Sequence, residues 1–216
     1  MRFLLTSSLC LFVSSTSFAA VTAVQTPFGL KADVIELKND AFVDNGGQAY
    51  LQLGFVAEEK AGIWVKVPEN IGYFKVDSFR VLMGSSAELN DNSPEERNVQ
   101  IFFDMAIASQ PSAAIPADIT NAAQITPGPY WNDIPAQGEQ GSLSCARGGQ
   151  YVGAALEFTH TGAPSVYRDL DGLNAPTHNN LFAVPGGWGY SVQYGLRGDW
   201  ILRVVGHSAT AAECGY

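Results

Sequence analysis

Gly198-Asp199-Trp200-Ile201-Leu202-Arg203-Val204-Val205-Gly206 is the stretch on which the fold reading turns. Strand side chains alternate with period two, so Trp200, Leu202 and Val204 share one face and Ile201, Arg203 and Val205 the other. The first face is large and apolar. The second mixes Ile201 and Val205 with an arginine, as expected of a strand covered fully on one side and partly on the other.

The same logic applies upstream. In Gln150-Tyr151-Val152-Gly153-Ala154-Ala155-Leu156-Glu157-Phe158, the residues Val152, Ala154, Leu156 and Phe158 form an inward set. This stretch is the expected pairing partner of the 198–206 strand, with small residues that let Trp200 pack close. Residues 151–206 thus read as closing core strands with a decorated loop, Arg168-Asp169-Leu170-Asp171-Gly172, between them.

Further out, the chain alternates short apolar runs with turns. Val34, Glu36 and Lys38 oppose Ile35 and Leu37 in an opening strand. Asp44-Asn45-Gly46-Gly47 is a turn signal, because Asn and Gly accept positive φ cheaply, and it predicts a hairpin with residues 48–57. There Ala49, Leu51, Leu53 and Phe55 alternate with polar residues. Ile63-Trp64-Val65-Lys66-Val67 is a further strand, stopped by Pro68. Residues 73–83 form the longest β-run of the first half, with Phe74, Val76, Ser78, Arg80 and Leu82 on one face. Its other face carries Lys75, Asp77, Phe79 and Val81, so neither face is cleanly apolar. After a polar loop, 84–98, residues 99–107 return as an apolar strand. Residues 109–128 read as an irregular crossover with at most one short helix near 117–123, where Pro116 suits a first helical turn. Short strands follow at 130–134, 165–167, 181–184 and 188–196.

The first residues follow the pattern of an export signal: Arg2, an apolar run over 3–13, and Ser17-Phe18-Ala19 before a cut after Ala19. The reading is a signal peptide at 1–19 and a single β-sandwich domain over 20–216, secreted, periplasmic or at the cell surface. Three cysteines then become two, Cys145 and Cys214, which in an exported chain predicts a disulfide tying the tail to the 142–147 loop. Closing so long a loop is worth roughly 3–5 kcal/mol by chain entropy. The 12 basic and 21 acidic residues give a formal charge of −9, and loss of Arg2 makes it −10. Such a surface repels phosphates, which argues against nucleic acid and anionic membranes as partners. The fold class is all-β: one antiparallel sandwich of roughly eight to ten strands with little helix.

Val152-Gly153-Ala154-Ala155-Leu156, Arg168-Asp169-Leu170-Asp171-Gly172, Trp188 and Gly198-Asp199-Trp200-Ile201-Leu202-Arg203 together resemble jelly-roll modules of exported bacterial proteins. The resemblance is confined to the C-terminal half. It implies a β-sandwich that acts in adhesion or glycan binding, as such modules commonly do.

Two constellations carry candidate chemistry. Asp169, Asp171 and Asn174, with Asn179 and Asn180 behind them, gather hard oxygen donors in one loop, and calcium accepts about six to eight such oxygens in flexible geometry. Asp171-Gly172 and Asn179-Asn180 are equally ordinary turn residues. Tyr130, Trp131, Trp188 and Tyr190 are the expected ligand-binding aromatics, with broad apolar faces suited to sugar rings, whereas Trp64 and Trp200 are expected in the core. His160, His178 and His207 share no metal-ligand spacing, and no Gly-x-Ser-x-Gly is present. The leading expectation is a non-catalytic exported protein that binds a glycan or another surface component. A self-assembling surface protein and a hydrolase with two converging carboxylates are the alternatives. If the acidic loop holds calcium, added calcium raises the unfolding midpoint and Asp169→Ala/Asp171→Ala abolishes the rise; no response in the native chain returns the loop to a turn.

Overall fold

The computed structural model describes residues 34–43, 48–84, 95–104, 118–125, 130–136, 145–158, 165–170, 179–185 and 187–216. Of 95–104, 118–125 and 130 it describes the backbone alone. The expected signal peptide at 1–19, the 44–47 turn, Asp171, Asn174, His160 and His178 lie outside these residues.

Two antiparallel sheets pack face to face, so the chain is all-β. The strands in order are β1 (Val34–Lys38), β2 (Ala49–Leu51), β3 (Lys60–Lys66), β4 (Tyr73–Gly84), β5 (Glu95–Asp104), β6 (Asp118–Ile125) and β7 (Tyr130–Pro135). Then follow β8 (Cys145–Arg147), β9 (Tyr151–Glu157), β10 (Ser165–Asp169), β11 (Asn180–Val184), β12 (Gly187–Tyr190) and β13 (Leu202–Ala209). Among the described residues, helix is confined to short 3-10 turns, at Ser191–Tyr194, at Ala212–Cys214 and at Asn179, and none is long and apolar enough to cross a membrane.

β4 is the spine of the first sheet. Val81 pairs with both Leu202 and Asn132, and Met83 with both Val166 and Tyr130. Thus β13 and β10 follow one another along one side of β4, and β8 and β7 along the other. β1 flanks β13 and β2 flanks β10. The second sheet runs β12-β11-β3-β9-β5-β6.

The faces of β4 are unclean in sequence because the strand carries a bulge. Ser78 pairs with Val205 but Val76 with Gly206, which leaves Asp77 as the extra residue and resets the alternation. Phe74 and Val76 before the bulge and Phe79, Val81 and Met83 after it therefore all face the core. Opposite them lie Ala61, Ile63 and Val65 of β3 and Val152, Ala154 and Leu156 of β9. Each large side chain fully buried here contributes roughly 1.5–3 kcal/mol.

Other expectations fare unevenly. Trp200, Leu202 and Val204 face the core as the alternation requires, and Trp64 and Trp200 are both buried. Cys145 and Cys214 form the expected disulfide, with Cα atoms 5.7 Å apart. The 150–158 stretch, however, does not pair with β13: β9 belongs to the other sheet, between β3 and β5. Its inward set meets β13 across the sandwich because both strands present apolar faces. The 34–38 and 48–57 strands form no hairpin either, since β1 pairs with β13 and β2 with β10. β2 is also shorter than predicted. Gly54, at φ +94°, breaks the alternation, so that Phe55 is buried while Leu53 stays 40 % exposed. The short helix expected near 117–123 is strand β6, paired with β5; β-branched Ile119, Thr120 and Ile125 suit that ladder. Among the described residues thirteen strands are assigned, and β2, β8 and β12 are only three or four residues long.

Gly206 answers the bulge. A Cβ there would lie 2.1 Å from the Lys75 carbonyl oxygen and 2.7 Å from the Phe74 ring. Gly206→Ala should cost about 1–3 kcal/mol or more in urea unfolding, whereas Gly72→Ala, with nothing within 4 Å, should change stability by less than about 0.5 kcal/mol. Equal effects would contradict the packing described for the bulge.

Candidate functional site

Each sheet carries an aromatic group on its outer surface. On the second sheet, Ala183 pairs with both Trp188 and Lys60, Leu181 with both Tyr190 and Gly62, and Lys66 with Tyr151. Cross-strand partners point to the same side of a sheet, so Trp188, Tyr190, Tyr151 and Lys60 all face outward. Trp64, Ala155 and Leu181 form the buried floor of this face, and Tyr151, Trp188 and Tyr190 pack against it half-exposed.

Two glycines let indoles lie down on the sheet. A Cβ on Gly62 would stand 3.3 Å from the Trp188 ring, and one on Gly153 would stand 2.5 Å from the Trp64 ring. Glycine in mid-strand costs ladder stability, so its occurrence under a ring marks a close approach. The Lys60–Glu157 ion pair lies in the same row of the sheet as Trp188, beyond Ala183.

Trp131 lies on the opposite side of the molecule. β7 places Trp131 beside Leu82 on the outer face of the first sheet. There its ring faces the guanidinium of Arg203 at 4.4 Å and that of Arg80 at 6.0 Å, and lies 6.3 Å from Phe42. Tyr130 pairs with Met83 through the backbone. Trp131 therefore does not share a surface with Trp188 and Tyr190: those two are together, and Trp131 is half-buried under two arginines.

Those arginines head a charged network that the spacing of residues did not reveal. Arg203 binds Glu36 at 2.7 Å and grips both carboxylate oxygens of Asp40, at 3.2 and 2.7 Å. It also donates to the Phe42 carbonyl at 2.8 Å. Arg80 bridges Glu36 at 2.8 Å and Asp133 at 2.6 and 3.1 Å. Burial pushes the Asp40 carboxyl above its ordinary range, against the pull of Arg203. The folded chain thus holds that proton to higher pH than the unfolded chain. The stability from this group is full below the unfolded value near 3.8 and fades as pH rises through the folded pKa.

Asp169, first of the predicted calcium ligands, is fully buried. Its carboxylate accepts the Ala41 amide at 2.8 Å and the Asp199 amide at 3.2 Å. Asn180 donates to Asp199 and accepts the Trp200 amide at 3.1 Å, while the side chain of Asn39 donates to the Asn179 carbonyl at 3.1 Å. These polar residues clasp β10, β11 and the chain leading into β13. Among the described residues no group of three or more His, Cys, Asp or Glu side chains is placed to hold a metal. His207 contacts Asp77 at 2.7 Å, beside the bulge.

Comparison with protein-family models, curated proteins and solved structures finds no match to this chain. Nothing there identifies it with jelly-roll modules.

Removing Arg203 would leave Asp40 charged and buried without its partner. Arg203→Met should cost about 3–5 kcal/mol at neutral pH, and the cost should shrink as the pH falls and Asp40 takes up a proton. Denaturant unfolding across pH checks this; a cost independent of pH would contradict the pairing.

Proposed function

We propose that the chain is an exported, non-catalytic binding protein that holds a neutral glycan on the outer face of its second sheet. The observation that carries this reading is the arrangement of Trp188 and Tyr190. They alternate on β12, half-exposed on one side, with the Trp188 indole laid against Gly62.

Pyranose rings present flat C–H faces edged with hydroxyl groups. An aromatic side chain held against a sheet gives the apolar half of that contact without losing side-chain freedom on binding. Lys60 and Glu157, farther along the same row of the sheet beyond Ala183, supply a donor and acceptors for hydroxyls of a sugar that extends across it. The acidic surface favours a neutral sugar over a uronic acid polymer, which it would repel. The export reading rests on the residues at 1–19 and accords with the Cys145–Cys214 disulfide.

Calorimetric titration with a panel of neutral oligosaccharides tests the reading. Trp188→Ala should weaken binding about tenfold or more, in line with the loss of one stacked aromatic contact. Trp131→Ala should leave it unchanged. No binding by the native chain, or loss on Trp131→Ala alone, would overturn the proposal.

A further inference from the structure

A gap is left where the 52–59 segment after β2 faces β11 and the chain after β12. A cavity of about 270 Å³ opens there, lined by Leu53, Phe55, Glu59, Phe182, Tyr194 and Leu196 among others. Phe55 and Phe182 form its inner wall, with ring centres 5.8 Å apart, and Tyr194 meets Phe182 edge-on at 4.9 Å. Two apolar lining residues are left in water: Leu53 is 40 % exposed and Tyr194 44 %. Such a cluster on a soluble domain marks a place that something covers.

Glu59 is the one charged side chain among the described lining residues. Its placement rests on a strained turn. The Glu59 amide donates to the Val56 carbonyl at 3.2 Å, closing a turn in which Glu58 adopts φ +72°, a left-handed conformation costly for a non-glycine residue. The Glu58 amide is held by the Phe158 carbonyl at 2.8 Å, and the Phe158 amide by the Glu59 carbonyl at 2.9 Å. One Glu59 carboxylate oxygen accepts the Val56 amide at 2.9 Å. The turn thus holds Glu59 at the edge of a cavity whose inner wall is aromatic.

Aromatic faces and a carboxylate share one preference, for a positively charged group on an apolar body. We infer that this cavity binds a small organic cation, an ammonium group carried on one aromatic ring system, with the ring against Phe55, Phe182 and Tyr194 and the ammonium towards Glu59. The volume fits that size. A dry cavity of about 150 Å³ accepts benzene, and drug-sized ligands need upwards of about 300 Å³. The site is separate from the outer face that carries Trp188, because Phe182 and Leu181 point to opposite sides of β11.

Three probes with one ring system and different charge test it: tryptamine, indole and indole-3-acetate, titrated by ligand-observed NMR into the full chain. Tryptamine should bind about tenfold tighter than indole, and indole-3-acetate more weakly than either. Glu59→Gln keeps an oxygen for the Val56 amide and should level the three affinities. Tyr194→Ala, at an exposed ring, should weaken all three, and Trp188→Ala should change none. Absence of binding at millimolar concentration, an unchanged order in Glu59→Gln, or loss on Trp188→Ala would each overturn the inference. Failure of the glycan titration would leave these results untouched.

Discussion

The two sheets are pinned to one another through Trp200. Its indole N–H donates to the Leu181 carbonyl at 2.9 Å and the Ser191 hydroxyl at 2.8 Å, and its backbone amide to the Asn180 side chain at 3.1 Å. All three partners belong to β11 or the 3-10 turn after β12, while Trp200 itself leads into β13 and bridges Arg168 of β10. The ring also packs 5.9 Å from Phe55 and lies 5.7 Å from the Arg168 guanidinium. Hydrogen bonds sealed from water in this way are costly to leave unmade. A hydrophobic core alone would let the sheets slide; this set of bonds fixes where β11 stands.

Both candidate surfaces inherit that position. β11 turns Leu181 outward to the floor beneath Trp188 and Tyr190, and Phe182 inward to the wall of the cavity. Asp169, Asp199 and Asn180 extend the same clasp towards the start of the acidic loop. The carboxylate of Asp169 is thereby engaged with two backbone amides. The arginine network on the other face works differently: it covers apolar Leu82, Tyr167 and Ile201 with the 39–43 segment, and takes up Trp131 in doing so.

What was legible in the sequence was whatever depends on nearest neighbours along a strand. The alternation around Leu202 located the core face of β13, and the even cysteine pair located the disulfide. Pairing partners were not legible, because apolar strands of equal quality, such as β9 and β4, compete for β13 and only the whole sheet decides. Two single-residue events, the extra Asp77 in β4 and the left-handed Gly54 after β2, each reversed an alternation that was otherwise sound. For the site, Trp188 and Tyr190 were visible as aromatics flanked by glycine. Their grouping with Tyr151 and Lys60, and apart from Trp131, follows from register across four strands. Gly62 and Gly153, in mid-strand among larger residues, were the signal that could have pointed to indoles lying on that sheet.

The chain has four tryptophans, whose environments differ, so each indole N–H offers its own report. The most direct test of glycan binding at the second sheet is an NMR titration of the ¹⁵N-labelled chain with neutral oligosaccharides, following the four indole signals. The Trp188 signal should shift progressively, with a smaller change at Trp64 in the floor beside it, while Trp131 and Trp200 stay still. Shifts confined to Trp131, or four unmoved signals at saturating sugar, would contradict the account.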